Sequence, residues 1–225
     1  MSENNYPETR STTAECRIAL NNVLNKYMPM KQSADGNWWY SEWENHRRKV
    51  VHLERWYTSY IINWGYNYDF TIQVNKYHRT EKSFFLDVQD DYSYYISCDT
   101  DEEEQKLSWK YKLFNICFVD SVPRDVDFSE FVIPMLEERC ENNMTLMLDW
   151  FKRVNTLDEI LAELDRKLET DGIHTAHIKY ATKAFLLARA GRMIEAEECF
   201  NNKRCCGGEK FYKQMIKVSK MPFEK

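Results

Sequence analysis

The clearest pattern in the chain is an alternation of side-chain types between residues 56 and 74. Every even position in this stretch is aromatic or β-branched, while the odd positions are mostly small or polar. A period of two is typical of strands that bury one face. Since nineteen residues exceed one ordinary strand, we expect a hairpin with its turn near residues 65–69. The even positions are Trp56, Thr58, Tyr60, Ile62, Trp64, Tyr66, Tyr68, Phe70, Ile72 and Val74.

Other stretches on both sides continue the strand pattern. Upstream, WWYSEW (38–43) and KVVHLER (49–55) have the composition of strands. Downstream, large side chains alternate in two short stretches, 84–88 and 92–96. The links between these stretches are too short for crossover helices, which favours an antiparallel sheet. Residues 101–118 fit either a strand or a helical face, and we interpret them as a strand.

Helical signals open the chain and dominate its second half. Thr12 and Glu15 form a capping box ahead of an apolar face, which predicts a helix that ends near Pro29. A further helix is expected from Phe128, capped by Asp127. The proline at position 134 is compatible with it only near a start or a kink.

The last third of the chain contains three more helical signals. Thr156 and Glu159 form a second capping box, and Gly172 is expected to end that helix. Two amphipathic segments follow, joined at Gly191, and a last helix is expected at about residues 209–220.

These elements predict an α+β fold. An N-terminal helix packs on an antiparallel, aromatic-rich sheet in residues 1–122, and residues 123–225 are all helical. With 225 residues, the halves can form two domains or one continuous core.

Charge and composition narrow the classes of partner. The net charge is −5, and basic residues predominate only from Lys203 onward, with seven basic side chains against two acidic ones. A nucleic-acid-binding protein usually has a broad basic face, so we expect no nucleic acid. The polar N-terminus and the absence of a long apolar run predict no signal peptide, no membrane span and a cytoplasmic location. The seven cysteines are then expected to be reduced thiols.

An acidic segment follows the strand pattern. Residues 83–105 contain eight carboxylates and no Lys or Arg, together with three tyrosines. Such a run is most often a solvated loop. The alternative is a recognition surface for a basic protein, because tyrosines anchor interfaces and a patch of one sign steers association. A third interpretation is a magnesium site at Asp99, Asp101 and Glu103, which no accompanying motif supports.

The aromatic face has a second interpretation besides a core. Its bulky side chains are many for one helix to cover, so some of them could line a ligand pocket. A carboxylate from Glu42, Glu44 or Asp69 would then lie at the rim. The candidate pocket residues are Tyr60, Trp64, Tyr66 and Tyr68.

Standard catalytic signatures are absent from the sequence, so no catalytic residue, cofactor or metal is assigned. His174 and His177 lie three apart near Asp171 and could share a helix face as metal ligands. An exposed helical histidine pair is far more common. The absence of motifs lowers the expectation of an enzyme without removing it.

One segment near the C-terminus resembles a tetratricopeptide-type helical hairpin. The resemblance covers about one unit, residues 180–202, and it departs from the usual pattern at Lys183 and Leu187. One unit cannot form a solenoid groove, so it implies a structural helix pair with some tendency to protein contacts. A structural subunit built on the C-terminal half is therefore a further option. The matching positions are Ala184, Gly191, Ala196 and Phe200.

The overall layout resembles bacterial α+β families of uncharacterised domains. The likeness rests on the leading helix, the Trp-rich sheet and the helical segment DFSEFVIPMLEE. Some members of those families accompany polymorphic toxins as immunity proteins, which implies a non-enzymatic inhibitor that occludes a basic active-site surface. The expected contact residues are Asp90, Asp91, Tyr92, Tyr94, Asp99, Asp101, Glu102 and Glu103.

Overall fold

The computed structural model describes residues 13–56, 59–71, 88–89, 94–96, 128–170, 173–202, 205 and 208–221. Within these ranges the strands are β1 (Lys31–Gln32), β2 (Trp38–Tyr40), β3 (Arg47–Trp56), β4 (Ser59–Tyr68), β5 (Val88–Gln89) and β6 (Tyr94–Ile96). The helices are α1 (Thr13–Tyr27), α2 (Phe128–Arg153), α3 (Leu157–Thr170), α4 (Ile173–Arg189), α5 (Met193–Phe200) and α6 (Glu209–Ser219).

The strands form one sheet in the order β1-β2-β3-β4-β5, and β6 also pairs with β4. Both downstream strands run antiparallel to β4: Gly65 lies opposite Gln89, and Tyr60 lies opposite Ile96. Helices follow from residue 128 onward, so the predicted α+β class is confirmed.

The predicted turn at residues 65–69 is wrong. Strand β4 continues without a break from Ser59 to Tyr68, and Gly65 pairs with Gln89 inside the sheet. The hairpin lies earlier, because β3 ends at Trp56 and β4 begins at Ser59. A glycine was interpreted as a turn signal, whereas sheet pairing holds it in an extended strand.

Other predicted elements are found close to their expected positions. Helix α1 ends at Tyr27, two residues before Pro29, and Pro134 lies in the second turn of α2. The upstream strands appear as β2 and β3, although β2 stops at Tyr40. The prediction for residues 101–118 lies outside the described residues. None of the helices in the described ranges is long and apolar enough to cross a membrane.

The chain divides into two compact units that draw on separate stretches of sequence. The first contains Met1–Trp39, His52–Asn63 and Ser93–Leu146, and the second contains Tyr40–Val51, Trp64–Tyr92 and Met147–Lys225.

The first unit is organised around α1. Its buried positions, spaced three and four apart, are the ones an amphipathic helix turns inward: Cys16, Ala19, Leu20, Val23 and Leu24. Polar contacts fix the helix ends and sides: Thr13 Oγ1 lies 2.8 Å from the Tyr60 hydroxyl, and Asn22 donates to Glu137 at 2.6 Å. The indole of Trp39, fully buried, donates to Asn21 at 3.0 Å.

The part of β4 that belongs to the second unit, from Trp64 onward, is buried on both faces, whereas the alternation predicted one buried face. On the even face, Tyr66 contacts the rings of Trp150 and Phe151 at centroid distances of 5.5 and 5.3 Å. On the odd face, Asn67 accepts a hydrogen bond from Arg48 at 2.8 Å. Small polar side chains on the second face are therefore consistent with burial when a hydrogen-bonding partner is supplied.

Local signals determine how the helices of the second unit begin and end. Glu159 accepts from the backbone N–H of Thr156 at 2.7 Å, and the Glu159 N–H lies 3.4 Å from the Thr156 hydroxyl, so the predicted capping box is confirmed. Gly191, with φ +77°, ends α4 as predicted. Its N–H bonds Ala188 O and the Arg192 N–H bonds Leu187 O, which is the Schellman pattern.

Candidate ligand-binding site

A tight turn precedes β3 in the second unit. Glu44 and Arg47 exchange backbone hydrogen bonds of 2.7 and 2.9 Å across Asn45 and His46. Both central residues have positive φ, 47° and 64°, as a two-residue type I′ turn requires. Asn is a common choice there, but the second position is usually Gly. Placing His at that position costs about 1 kcal/mol of backbone strain.

The His46 side chain has a specific partner. Its Nδ1 lies 2.8 Å from Asp69 Oδ2, and the Asp69 N–H donates to His46 O at 3.2 Å. Because an ionised carboxylate can only accept, this bond places the imidazole proton on Nδ1. The ring is thereby held in one orientation with Nε2 as its second polar atom.

Arg47 is fixed beside this pair. Its two terminal nitrogens donate to Asn155 O at 2.5 Å and to Asn155 Oδ1 at 2.8 Å. The guanidinium also lies 4.5 Å from the centroid of the Tyr66 ring. Burial raises the pKa of Tyr66 to about 12, although the charge of Arg47 opposes the shift. Tyr66 therefore remains protonated, and its hydroxyl donates to Phe151 O at 3.3 Å.

A second arginine approaches from the end of α4. Arg189 is only 6% exposed, and its Nη1 donates to Met221 O at 2.7 Å. Its guanidinium lies 5.9 Å from the centroid of the Phe70 ring. The aromatic face and the backbone carbonyl thus support a cation that is largely removed from water.

His46, Arg47 and Arg189 lie in the wall of a cavity of about 230 Å³, here called the turn cavity. Part of its wall is apolar and comes from the sheet and from α3 and α4. The remainder is polar and comes mainly from the turn before β3. The lining residues are Glu44, Asn45, His46, Arg47, Tyr68, Phe70, Asn155, Leu157, Ile160, Leu186 and Arg189.

The four residues predicted to line one pocket do not all lie at the same cavity. Tyr68 lines the turn cavity, whereas Trp64 and Tyr66 are buried but do not line it. Tyr60 belongs to the first unit, where its hydroxyl contacts Thr13.

The three carboxylates that were candidates for the pocket rim also lie at different positions relative to the cavity. Glu44 lines the cavity, and Asp69 is hydrogen-bonded to the lining residue His46. Glu42 is not among the lining residues.

The predicted partner surface lies almost wholly outside the described residues. Of its members, Tyr94 alone falls in a described element, at the start of β6. The other seven lie outside: Asp90, Asp91, Tyr92, Asp99, Asp101, Glu102 and Glu103.

No metal centre is found in the part of the chain that the structure describes, where no three His, Cys, Asp or Glu side chains come together. The alternative magnesium ligands, Asp99, Asp101 and Glu103, lie outside it. His174 and His177 are in α4 by their backbone, and their side chains are likewise outside the description.

Sequence reasoning missed three polar or charged residues that line the cavity, His46, Arg47 and Arg189. A signal for the turn was present, since Asn45 directly precedes a strand pattern and favours positive φ. Nothing local connects that turn with Arg189, because tertiary packing brings them to one cavity.

Comparison with known proteins gives no relative: no family model, no curated protein and no solved structure matches this chain.

Proposed function

We propose that the protein binds a small molecule in the turn cavity. The observation that supports this most directly is the composition of the cavity wall, where apolar side chains meet a few fixed polar groups. Ligand sites generally combine an apolar lining with a small number of oriented polar groups. Here those polar groups are already held by other contacts: Asp69 holds His46, and Asn155 holds Arg47.

The backbone of the turn gives further support. A glycine at position 46 would adopt the same conformation without strain, so the histidine carries a conformational cost that glycine would avoid. Strained residues of this kind concentrate at functional sites. At about 230 Å³ the cavity is smaller than the sites that hold drug-sized ligands, which indicates a compact ligand.

A cavity-filling variant tests the proposal. Leu157 is half-buried, opens α3 and lines the cavity, so Leu157→Trp would occupy ligand space. Leu146 is 53% exposed on α2 and lies outside the lining, so Leu146→Trp is the matched control. A mixed fragment library would be screened by two-dimensional NMR against all three proteins, with Leu157→Phe as a milder variant if the tryptophan disturbs folding.

The expected result is a set of fragments that shift the amide signals of residues 44–47, 68–70 and 155–160. Binding should be lost in Leu157→Trp and kept in Leu146→Trp. If no fragment binds the wild type, or if every fragment binds the filled cavity equally well, the proposal is overturned.

A second candidate function concerns a protein partner, and the charge distribution of the sequence favours it. The acidic segment from Asp90 to Glu104 would dock on a basic surface, as in a cytoplasmic immunity-type inhibitor that occludes a toxin without catalysis. Support comes from the eight carboxylates of residues 83–105, with no Lys or Arg among them, and from the tyrosines that could anchor an interface. The layout resemblance to immunity-type domains points the same way.

The partner hypothesis is tested by affinity capture from native lysate at low and high salt. A basic protein that is captured at low salt should bind more weakly at high salt, since salt screens the attraction between exposed charges. The wild type would then be compared with Tyr92→Ala/Tyr94→Ala, which should speed dissociation of that protein, and with Asp90→Asn/Asp91→Asn, which should mainly slow association. Unchanged binding in both variants would remove this segment from the interface.

A further inference from the structure

The charges that line the turn cavity are unequal in number and in environment. Arg47 and Arg189 contribute two fixed positive charges, and Glu44 contributes the one carboxylate among the lining residues. The Asp69 carboxylate is hydrogen-bonded to the lining residue His46 but is not itself among the lining residues. Counted over the arginine and carboxylate side chains of the lining alone, the cavity has one more positive than negative charge.

Burial increases this imbalance. Arg189 is 6% exposed, whereas Glu44 is exposed to solvent. A charge held in a buried, low-dielectric position attracts an opposite ligand charge more strongly than an equal charge that is surrounded by water. A negative ligand group therefore gains more from the buried arginine than it loses to the solvated glutamate.

The geometry of Arg47 also suits an anion. Arg47 uses its two terminal nitrogens on Asn155, and a guanidinium has five N–H donors in a fixed plane, so it has donor capacity beyond those two bonds. Planar guanidinium groups match carboxylate oxygens better than a flexible ammonium does.

The rest of the lining defines the ligand body. Phe70, Leu157, Ile160 and Leu186 provide aromatic and aliphatic surface and carry no hydrogen-bonding side-chain atoms. A body without polar groups can enter that part of the cavity without leaving a donor or acceptor unsatisfied.

We propose that the ligand of the turn cavity is a small organic anion, a carboxylate carried on a compact aromatic or branched aliphatic body. The inference rests on the proposed small-molecule function and specifies its ligand class. Arg47 and Arg189 hold the carboxylate, while the apolar wall holds the body. His46, oriented by Asp69, lies beside the charged end.

Three probes with one common body test the ligand class. Benzoate is the anion, benzamide is its neutral isostere, and benzylamine is the cation that Glu44 would favour. Dissociation constants would be measured by NMR titration of the full chain at neutral pH, at low salt and at moderate salt. We expect benzoate to bind at least tenfold more tightly than benzamide, with benzylamine weakest.

A variant pair then tests the role of Arg47. Arg47→Met removes the charge and keeps the length of the side chain, while Lys213→Met removes a positive charge from α6, where the lysine is 72% exposed and outside the lining. We expect Arg47→Met to weaken benzoate at least fivefold and to leave benzamide within twofold. Lys213→Met should change neither.

The outcomes separate this inference from the function on which it rests. Equal binding of benzoate and benzamide, or preference for benzylamine, overturns the anion class while small-molecule binding stands. A parallel loss of benzoate and benzamide in Arg47→Met shows that Arg47 only shapes the site. If none of the three probes binds at millimolar concentration, but other fragments bind the wild type and lose binding in Leu157→Trp, the proposed anion class is wrong. If nothing binds at all, the proposed function itself fails.

Discussion

His46 and Asp69 are joined by two hydrogen bonds, one between side chains and one between backbones. The Nδ1–Oδ2 distance is 2.8 Å, and the Asp69 N–H lies 3.2 Å from His46 O. The pair ties the turn before β3 to the residue that follows β4. The same histidine has a φ of +64°, a value that glycine adopts more easily. The side-chain bond therefore offsets part of the strain that the residue introduces.

Two substitutions at position 46 separate strain from bonding. His46→Ala loses the bond to Asp69 and keeps a Cβ at positive φ, whereas His46→Gly loses the bond and relieves the strain. We expect the alanine variant to lower the free energy of unfolding by about 0.5–1 kcal/mol, because the lost bond is partly exposed, and the glycine variant to be about 1 kcal/mol more stable than the alanine variant. Urea unfolding monitored by circular dichroism measures both. Equal stabilities would show that the turn stores no strain.

How far the sequence predicts the structure depends on the distance along the chain between interacting groups. Thr156 and Glu159 are three residues apart, so their mutual capping is visible in the sequence and is found in the structure. Gly65 looked like a turn signal, but its role in β4 is set by pairing with Gln89, twenty-four positions away. The turn at 45–46 and Arg189 line the same cavity, and no local sequence pattern predicts that they lie close together. Glu42, Glu44 and Asp69 were alternative predictions for a rim carboxylate, and of these Glu44 lines the cavity. The two lining arginines were not predicted.

The buried carboxylate of Glu163 gives a second prediction. It is 3% exposed and accepts from Trp150 at 3.2 Å and from Arg166 at 2.9 Å, with Arg153 at 3.4 Å. Burial alone would raise the pKa of this carboxyl, but the hydrogen bonds from Arg166 and Trp150 and the two guanidinium charges outweigh burial and lower it. Glu163→Gln places an amide donor among these donors and should lower the free energy of unfolding by about 2 kcal/mol.

The control for Glu163 is an exposed carboxylate with an arginine partner at the same spacing. Glu195 pairs with Arg192 at 2.5 Å, and its side chain is 49% exposed. Glu195→Gln should leave the free energy of unfolding nearly unchanged, since solvent screens exposed pairs. Chemical denaturation of both variants at neutral pH makes the comparison. If the two losses were equal, burial would not be what makes the Glu163 contacts important.

His52 predicts a pH dependence in the first unit. Its ring stacks on Trp38 with a centroid distance of 3.7 Å and an interplanar angle of 13°. Burial lowers its pKa to about 4, and the charge of Asp35 only partly opposes the shift. Because the folded pKa lies below the ordinary value of about 6.5, the unfolded chain takes up the proton first as the pH falls. Stability attributable to His52 should therefore be complete above about pH 6.5, decline between there and about pH 4, and level off below.

The size of the His52 effect is about 2–3 kcal/mol over that window. Other groups also titrate there, so the quantity to measure is the difference in unfolding free energy between the wild type and His52→Gln at each pH. The unfolding free energy of the wild type should fall relative to that of His52→Gln as the pH falls from 7 to 4. A difference that is flat with pH would show that His52 titrates alike in the folded and unfolded chains.

Gly191 and Gly208 provide a matched test of backbone conformation in the helical part of the second unit. A Cβ at either position would meet no atom within 4 Å, so steric overlap with neighbours contributes to neither substitution. Gly191 has φ +77° in the Schellman motif that ends α4, whereas Gly208 has φ −95° at the start of α6. Gly191→Ala should therefore lower the free energy of unfolding by about 1–2 kcal/mol, and Gly208→Ala by about 0.5 kcal/mol or less. Thermal and urea unfolding of the two variants compare them directly, and a loss at position 208 as large as that at 191 would mean that positive φ is not what selects glycine at the end of α4.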